Sequence, residues 1–116
     1  MVSVSRNLKG LIYLISPSKI YPNFYIDLNK VLASKKVSFF QLRLKNKSLS
    51  EVVKVAKNIK VITQKYNVKL IINDSSVVAK KINADGCHLG QKDEPIELAR
   101  KNIKNKIIGV TCHGSK

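Results

Sequence analysis

Short apolar runs alternate with helical segments along the chain, and this alternation limits the possible folds more than any other feature. The segments between the runs place apolar residues at helical spacing. Strands that alternate with helices are typical of a parallel sheet with helices packed against it. We therefore predict an α/β fold of parallel βα repeats, whose five strands cover residues 11–16, 37–44, 68–72, 86–89 and 107–111.

Four helices are predicted between these strands. The longest, at 47–66, begins with a capping-box pattern in which Ser48 precedes Glu51 by three residues. The last helix is predicted to begin at Pro95, because proline is favoured at a first helical position. The predicted helices cover residues 26–34, 47–66, 75–82 and 95–102.

Two architectures share this alternation: an open doubly wound sheet and part of a (β/α)₈ barrel. Both bind their ligands at the carboxyl ends of the strands. With 116 residues and no long linker, the chain is predicted to form one domain spanning residues 1–116.

The second predicted strand has two different faces, because side chains alternate along a strand. One face is apolar, with Phe40, Leu42 and Leu44. The other becomes polar toward its end, with Phe39, Gln41, Arg43 and Lys45. Two interpretations remain open for the polar face: a substrate site inside a barrel, or the solvated face of an edge strand.

Acidic and amide residues follow two neighbouring predicted strands. Asn73 and Asp74 end the third strand, and Asp93 follows the fourth. Two carboxylates at the same end of adjacent strands can hold one Mg²⁺, which is usually bound by one or two carboxylates together with substrate phosphates. The structural alternative for Asn73 and Asp74 is a helix N-cap.

The chain is strongly basic, with 22 Lys and Arg against 7 Asp and Glu and a net charge of +15. This charge favours an anionic partner. The lysines are spread along the chain and do not alternate with aromatic residues, so the pattern does not favour nucleic acid. No apolar stretch reaches membrane-spanning length, which predicts a cytoplasmic protein without membrane contact. Cys87 and Cys112 are predicted to be buried thiols.

Five short motifs, taken together and in order, resemble the thiamine-phosphate synthase family, whose superfamily also includes a thiazole tautomerase. They cover nearly the whole chain, and they are Leu11-Ile12-Tyr13-Leu14-Ile15, Gln41-Leu42-Arg43-Leu44-Lys45, Ile71-Ile72-Asn73-Asp74, Ala84-Asp85-Gly86-Cys87-His88-Leu89-Gly90-Gln91-Lys92-Asp93 and Ile107-Ile108-Gly109-Val110-Thr111-Cys112-His113.

The resemblance implies a (β/α)₈ barrel that joins an aminopyrimidine diphosphate to a thiazole phosphate, with release of pyrophosphate. It also implies Mg²⁺ as cofactor, held by Asp74 and Asp93. The pyrimidine diphosphate would contact Gln41, Lys45 and Asn73, with Arg43 in support and Thr111 near the pyrimidine and diphosphate.

Several positions depart from the family pattern. Ser75, Ser76 and Val77 stand where the family usually continues with an arginine and a second acidic residue, and Leu44 replaces a residue that is often acidic or polar. Five strands are also fewer than eight, so the resemblance implies a truncated barrel without its C-terminal strands and without the thiazole-phosphate loops. Such a chain is expected to need a second copy or a complementary half-barrel chain. Two alternative functions remain: a tautomerase that uses His113, and a non-catalytic basic, anion-binding protein.

Overall fold

The computed structural model describes residues 3–6, 12–90 and 95–110, which form one mixed sheet and four helices. The strands are β1 (Ser3–Arg6), β2 (Ile12–Ile15), β3 (Val37–Leu42), β4 (Lys69–Asn73), β5 (Gly86–Leu89) and β6 (Ile107–Val110). The helices are α1 (Phe24–Leu32), α2 (Leu49–Lys65), α3 (Ser76–Ile82) and α4 (Ile96–Asn102). The predicted βα alternation is confirmed from β2 to β6.

The order of the strands decides between the two predicted architectures. The sheet runs β1-β2-β3-β4-β5-β6, and every neighbouring pair from β2 to β6 is parallel. A doubly wound sheet would reverse its strand order at a switch point. No reversal occurs among the described strands, so the sheet is wound as in a (β/α)₈ barrel and the doubly wound alternative is wrong.

Strand β1 was not predicted from the sequence. It pairs antiparallel with β2, from Ser3 opposite Ile15 to Arg6 opposite Ile12. Its sequence, Ser-Val-Ser-Arg, has no apolar run, so only its pairing marks it as a strand. Because β1 pairs with the outer edge of β2, the outermost strand on this side of the described sheet is β1.

One face of the sheet packs against the helices and forms the core. The side chains on this face come from alternate positions of β2 to β5, as the period of a strand requires. They are at most 2% exposed, and they include Leu14, Phe40, Leu42, Leu70, Ile72, Cys87 and Leu89. Cys87 is therefore the buried thiol that the sequence predicts. Helix α2 adds Ala56, Ile59 and Thr63 to this core.

The predicted capping box begins α2. The Ser48 hydroxyl accepts a hydrogen bond from the Glu51 backbone N–H at 3.2 Å, and the Glu51 carboxylate accepts from the Ser48 N–H at 3.5 Å. The other helix ends lie within two residues of their predicted positions, and Pro95 is the N-cap of α4 rather than its first residue. No helix in the described part of the chain is long and apolar enough to cross a membrane.

Candidate active site at the carboxyl ends of the strands

The second face of the sheet carries the predicted ligand-binding side chains. Gln41 lies opposite Ile71 in the β3–β4 register, and Asn73 lies opposite His88 in the β4–β5 register. Because Asn73 is two residues beyond Ile71, its side chain is on the same face as Gln41, one step nearer the carboxyl end. The structure therefore brings Gln41 and Asn73 to one face of neighbouring strands, about 4.8 Å apart in the pairing direction.

The polar end of β3 lies inside the sheet and not at its edge. β3 pairs with β2 on one side and with β4 on the other. The edge-strand interpretation of its polar face is therefore wrong. Gln41 is half-buried on this face, whereas Arg43 and Lys45 follow the last residue of β3 and are exposed.

Positive charge near the end of β3 is not neutralised by the described residues. Neither Arg43 nor Lys45 forms an ion pair within the described ranges, where the ion pair found joins Lys47 and Glu51 at 3.9 Å. Cations without an ion pair among the described residues, at the end of the strands where α/β barrels bind their ligands, favour an anionic group.

A group on the helix-covered side of the sheet has a shifted pKa. The pKa of Tyr21 is raised, chiefly because its hydroxyl donates a hydrogen bond to Asp27 Oδ2 at 2.8 Å. Tyr21 packs edge-on against Phe24 at the start of α1. The shift therefore belongs to the helix-covered side of the protein and not to the candidate site.

Asp74 turns the chain at the carboxyl end of β4. Its φ is +69°, in the left-handed region that aspartate and asparagine tolerate better than most residues. Its backbone N–H donates to the carbonyl oxygen of His88 at 2.8 Å, and its carboxylate lies 3.4 Å from the Asn73 side-chain nitrogen. These contacts fix the exposed Asp74 carboxylate at the end of the sheet.

The N-cap of α3 is Ser75, so the alternative role of Asn73 and Asp74 as a helix cap is wrong. The Ser75 hydroxyl accepts a hydrogen bond from the Val78 N–H at 3.2 Å. Ser76 is fully buried and accepts from the Asn102 side chain at 2.8 Å. Ser75 and Ser76, two of the residues that depart from the family pattern, thus stabilise α3 and its contact with α4.

Oxygen donors at this edge fit a magnesium ion. Asp74 offers a carboxylate and Asn73 an amide oxygen, and hard oxygen ligands are the ones that Mg²⁺ prefers. Within the described ranges, no three His, Cys, Asp or Glu side chains cluster as a metal site. One or two protein oxygens with water and phosphate suffice for Mg²⁺, so the donor set is compatible with the predicted ion.

His88 lies on the same face of the sheet as Asn73. The sequence did not indicate this position, because a lone histidine at the end of a strand forms no pattern. It lies between Asn73 and Gly109 in the register and is half-buried. A Cβ at Gly109 would lie 2.8 Å from Nδ1 of His88. Glycine at this position therefore lets the imidazole ring lie across β6, close to the candidate site.

Asp85 acts at the opposite end of the strands. Its carboxylate accepts a hydrogen bond from the Leu70 N–H at 2.7 Å, and its backbone bonds to both Leu70 and Ile107. These bonds join the amino ends of β4, β5 and β6. The aspartate in the predicted Ala-Asp-Gly motif therefore has a structural role.

Four residues from the sequence analysis lie outside the described ranges. They are the second predicted metal ligand, the predicted pyrimidine contact, the second thiol and the tautomerase candidate, namely Asp93, Thr111, Cys112 and His113. Their roles remain predictions.

The chain is similar to known proteins over most of its length. The family model described as thiamine monophosphate synthase matches residues 12–116. Curated proteins named thiamine-phosphate synthase are 59% identical over 108 residues in Pelagibacter ubique and 43% identical over 113 residues in Clostridium tetani. These matches cover 92% and 94% of this chain but 52% and 53% of the relatives.

A solved structure gives the same result. Thiamine phosphate pyrophosphorylase from Pyrococcus furiosus superimposes with a TM-score of 0.75 at 28% identity, over 87% of this chain and 49% of that one. The chain thus spans about half the length of the relatives it matches. On the family model and on these identities, the chain belongs to the thiamine monophosphate synthase family.

Proposed function

We propose that this chain provides the pyrimidine-diphosphate half of a thiamine-phosphate synthase site. One observation carries the proposal. Gln41, Asn73 and Asp74 lie at the carboxyl ends of the neighbouring strands β3 and β4, beside Arg43 and Lys45. The names of the relatives support the same activity, a transferase of thiamine biosynthesis. The cytoplasm as its place of action is part of the proposal.

The proposed reaction joins an aminopyrimidine methyl diphosphate to a thiazole phosphate. The bond between the pyrimidine methylene carbon and the diphosphate oxygen breaks, and its electron pair leaves with pyrophosphate. The thiazole nitrogen then gives its lone pair to the methylene carbon, which forms the C–N bond of thiamine phosphate. No proton has to be transferred, so a general acid–base pair is not required of the protein.

Each residue of the site has a role in this proposal. Lys45 and Arg43 stabilise the negative charge that develops on the departing diphosphate, since fixed cations aimed at developing charge lower the barrier. Gln41 and Asn73 orient the pyrimidine diphosphate. Asp74, with Asp93, would hold Mg²⁺, which supplies further stabilisation of the leaving group when bound.

The acceptor side of the reaction is also a proposal. Barrels commonly hold a phosphate with the loops after strands 7 and 8, and this chain contains five parallel strands in its described ranges. We propose that the thiazole phosphate is bound by barrel units equivalent to the half of the relatives that this chain does not match.

Isothermal titration of the 116-residue chain with the pyrimidine diphosphate and Mg²⁺ tests the proposal. Lys45→Ala should weaken diphosphate binding about 10- to 100-fold, the range for a hydrogen bond to a charged group. Binding of the uncharged pyrimidine alcohol should change little, because it lacks the group that Lys45 contacts.

Lys69→Ala is the matched control. Lys69 is also exposed and lies on the same face of the sheet, but at the amino end of β4. If both variants lose the same affinity, binding reflects only the net charge of +15 and the proposed site is wrong. Tight, steeply salt-dependent binding of RNA in place of the diphosphate would favour the basic binding protein instead.

A further inference from the structure

A buried serine at the end of β2 is bonded to the segment that carries Arg43 and Lys45. Ser16 is 5% exposed and directly follows the last residue of β2. Its hydroxyl oxygen accepts a hydrogen bond from the Arg43 backbone N–H at 2.8 Å, and the hydroxyl donates to the Pro17 carbonyl at 3.1 Å. The hydroxyl is therefore used both as donor and as acceptor.

Two backbone hydrogen bonds flank this contact. The Ser16 N–H donates to the Gln41 carbonyl at 2.9 Å, and the Lys45 N–H donates to the Ser18 carbonyl at 3.1 Å. The three bonds fall on Gln41, Arg43 and Lys45, which are the three residues in and just after β3 that are proposed to act on the diphosphate. Only the central bond depends on a side chain.

The bonds continue the pairing of β2 with β3 past its regular end. β3 ends at Leu42, so Arg43 and Lys45 lie beyond the ladder. An exposed extension without fixed bonds would sample many conformations, and a ligand would have to order it on binding. The Ser16 hydroxyl holds the backbone at Arg43, the first residue of this extension.

We propose that Ser16 is a positioning residue for the diphosphate-binding segment 41–45. It acts through the Arg43 backbone and does not contact the ligand. This inference rests on the proposed function, because it assigns Ser16 to the same site. The sequence signal is a single polar residue between an apolar strand and Pro17, which by itself reads as an ordinary strand end.

Ser16→Ala tests the inference by removing the acceptor of the Arg43 N–H. Binding of the pyrimidine diphosphate with Mg²⁺ should become roughly three- to tenfold weaker, the range expected from the loss of one hydrogen bond. In the free protein, the Arg43 amide should exchange faster with deuterium, as measured by NMR. Ser16→Thr keeps a hydroxyl and should restore both properties.

Thr63→Ala is the control for a general loss of stability. Thr63 is 1% exposed, and its hydroxyl donates to the Lys60 carbonyl at 3.1 Å within α2, on the helix-covered side. Thr63→Ala should lower the melting temperature about as much as Ser16→Ala does, but it should leave the affinity for the diphosphate unchanged. Ser16→Cys leaves no cavity and has only a weak acceptor, so it provides a second variant that removes the hydrogen bond if Ser16→Ala does not fold.

The outcomes separate this inference from the proposed function. If the wild-type chain binds no diphosphate, the proposed function fails and the role of Ser16 fails with it. If the wild type binds and the Ser16 variants bind equally well, only the positioning role is wrong. An equal loss of affinity in Thr63→Ala would also overturn it, because any buried hydroxyl would then have the same effect.

Discussion

The two faces of this sheet differ sharply although the same strands build both. On the helix-covered face, Phe40 and Leu42 are 0% and 1% exposed. On the other face, their neighbours Phe39 and Gln41 are half-buried, and the row ends in amide, imidazole and carboxylate groups. The comparison indicates that apolar packing on one face specifies the fold, while the other face carries the polar groups of the proposed site.

The largest expected effect is on the free energy of unfolding, and it should differ between two adjacent phenylalanines on opposite faces. Phe40→Ala should cost about 3–5 kcal/mol of unfolding free energy, because it leaves a cavity in the packed core. Phe39 stacks on Tyr13 with ring centroids 4.6 Å apart. Phe39→Ala should cost less, about 1–2 kcal/mol, since a half-buried ring loses less apolar contact. Urea denaturation would measure both.

The difference between these two variants is the decisive quantity. Equal losses would mean that both faces are packed to the same extent, and the distinction between a structural face and a ligand face would fail. The two side chains have the same volume, so the comparison needs no correction for size.

Smaller effects are expected from substitutions of the aspartates at the two ends of the strands. Asp85→Ala removes the acceptor of the Leu70 N–H, and it should cost about 1–3 kcal/mol of stability without changing ligand affinity. Asp74→Asn keeps a residue that tolerates the φ of +69°. It should change the melting temperature little but abolish the Mg²⁺ dependence of diphosphate binding.

Thermal melts with and without Mg²⁺ and the diphosphate would check both aspartate variants. If Asp85→Ala impaired binding as much as Asp74→Asn did, the separation of stability and chemistry between the two strand ends would be wrong. Unchanged Mg²⁺ dependence in Asp74→Asn would remove Asp74 from the proposed metal site.

Much of the fold could be predicted because its signals are local. The apolar runs, the helical stripes and the Ser48–Glu51 capping box each occupy a short stretch, and all of them are found in the structure. The strand order could not be predicted, since it depends on contacts between distant segments. β1 was missed for the same reason: its four residues are a strand only because β2 lies beside them.

The candidate site was predicted in part. The positions of Gln41 and Asn73 follow from alternation along a strand, so the sequence was enough to place them on one face. The roles of Ser16, Asp85 and His88 depend on backbone atoms of other strands, which no local pattern shows. At the start of α3, the sequence allowed an alternative that the structure does not support. Asn and Asp are good helix caps, but the neighbouring Ser75 caps this helix.

Hydrogen–deuterium exchange of the 116-residue chain, with and without Mg²⁺ and the pyrimidine diphosphate, is the most direct test of the proposed site. It would show whether the ligand binds at the carboxyl ends of the strands, on the face that carries Gln41 and Asn73. We expect added protection in residues 41–45 and 73–75, at the carboxyl ends of β3 and β4. Residues 67–70, at the amino end of β4, should exchange as before. Protection at the amino end alone, or spread evenly over the lysine-rich surface, would contradict the proposed site.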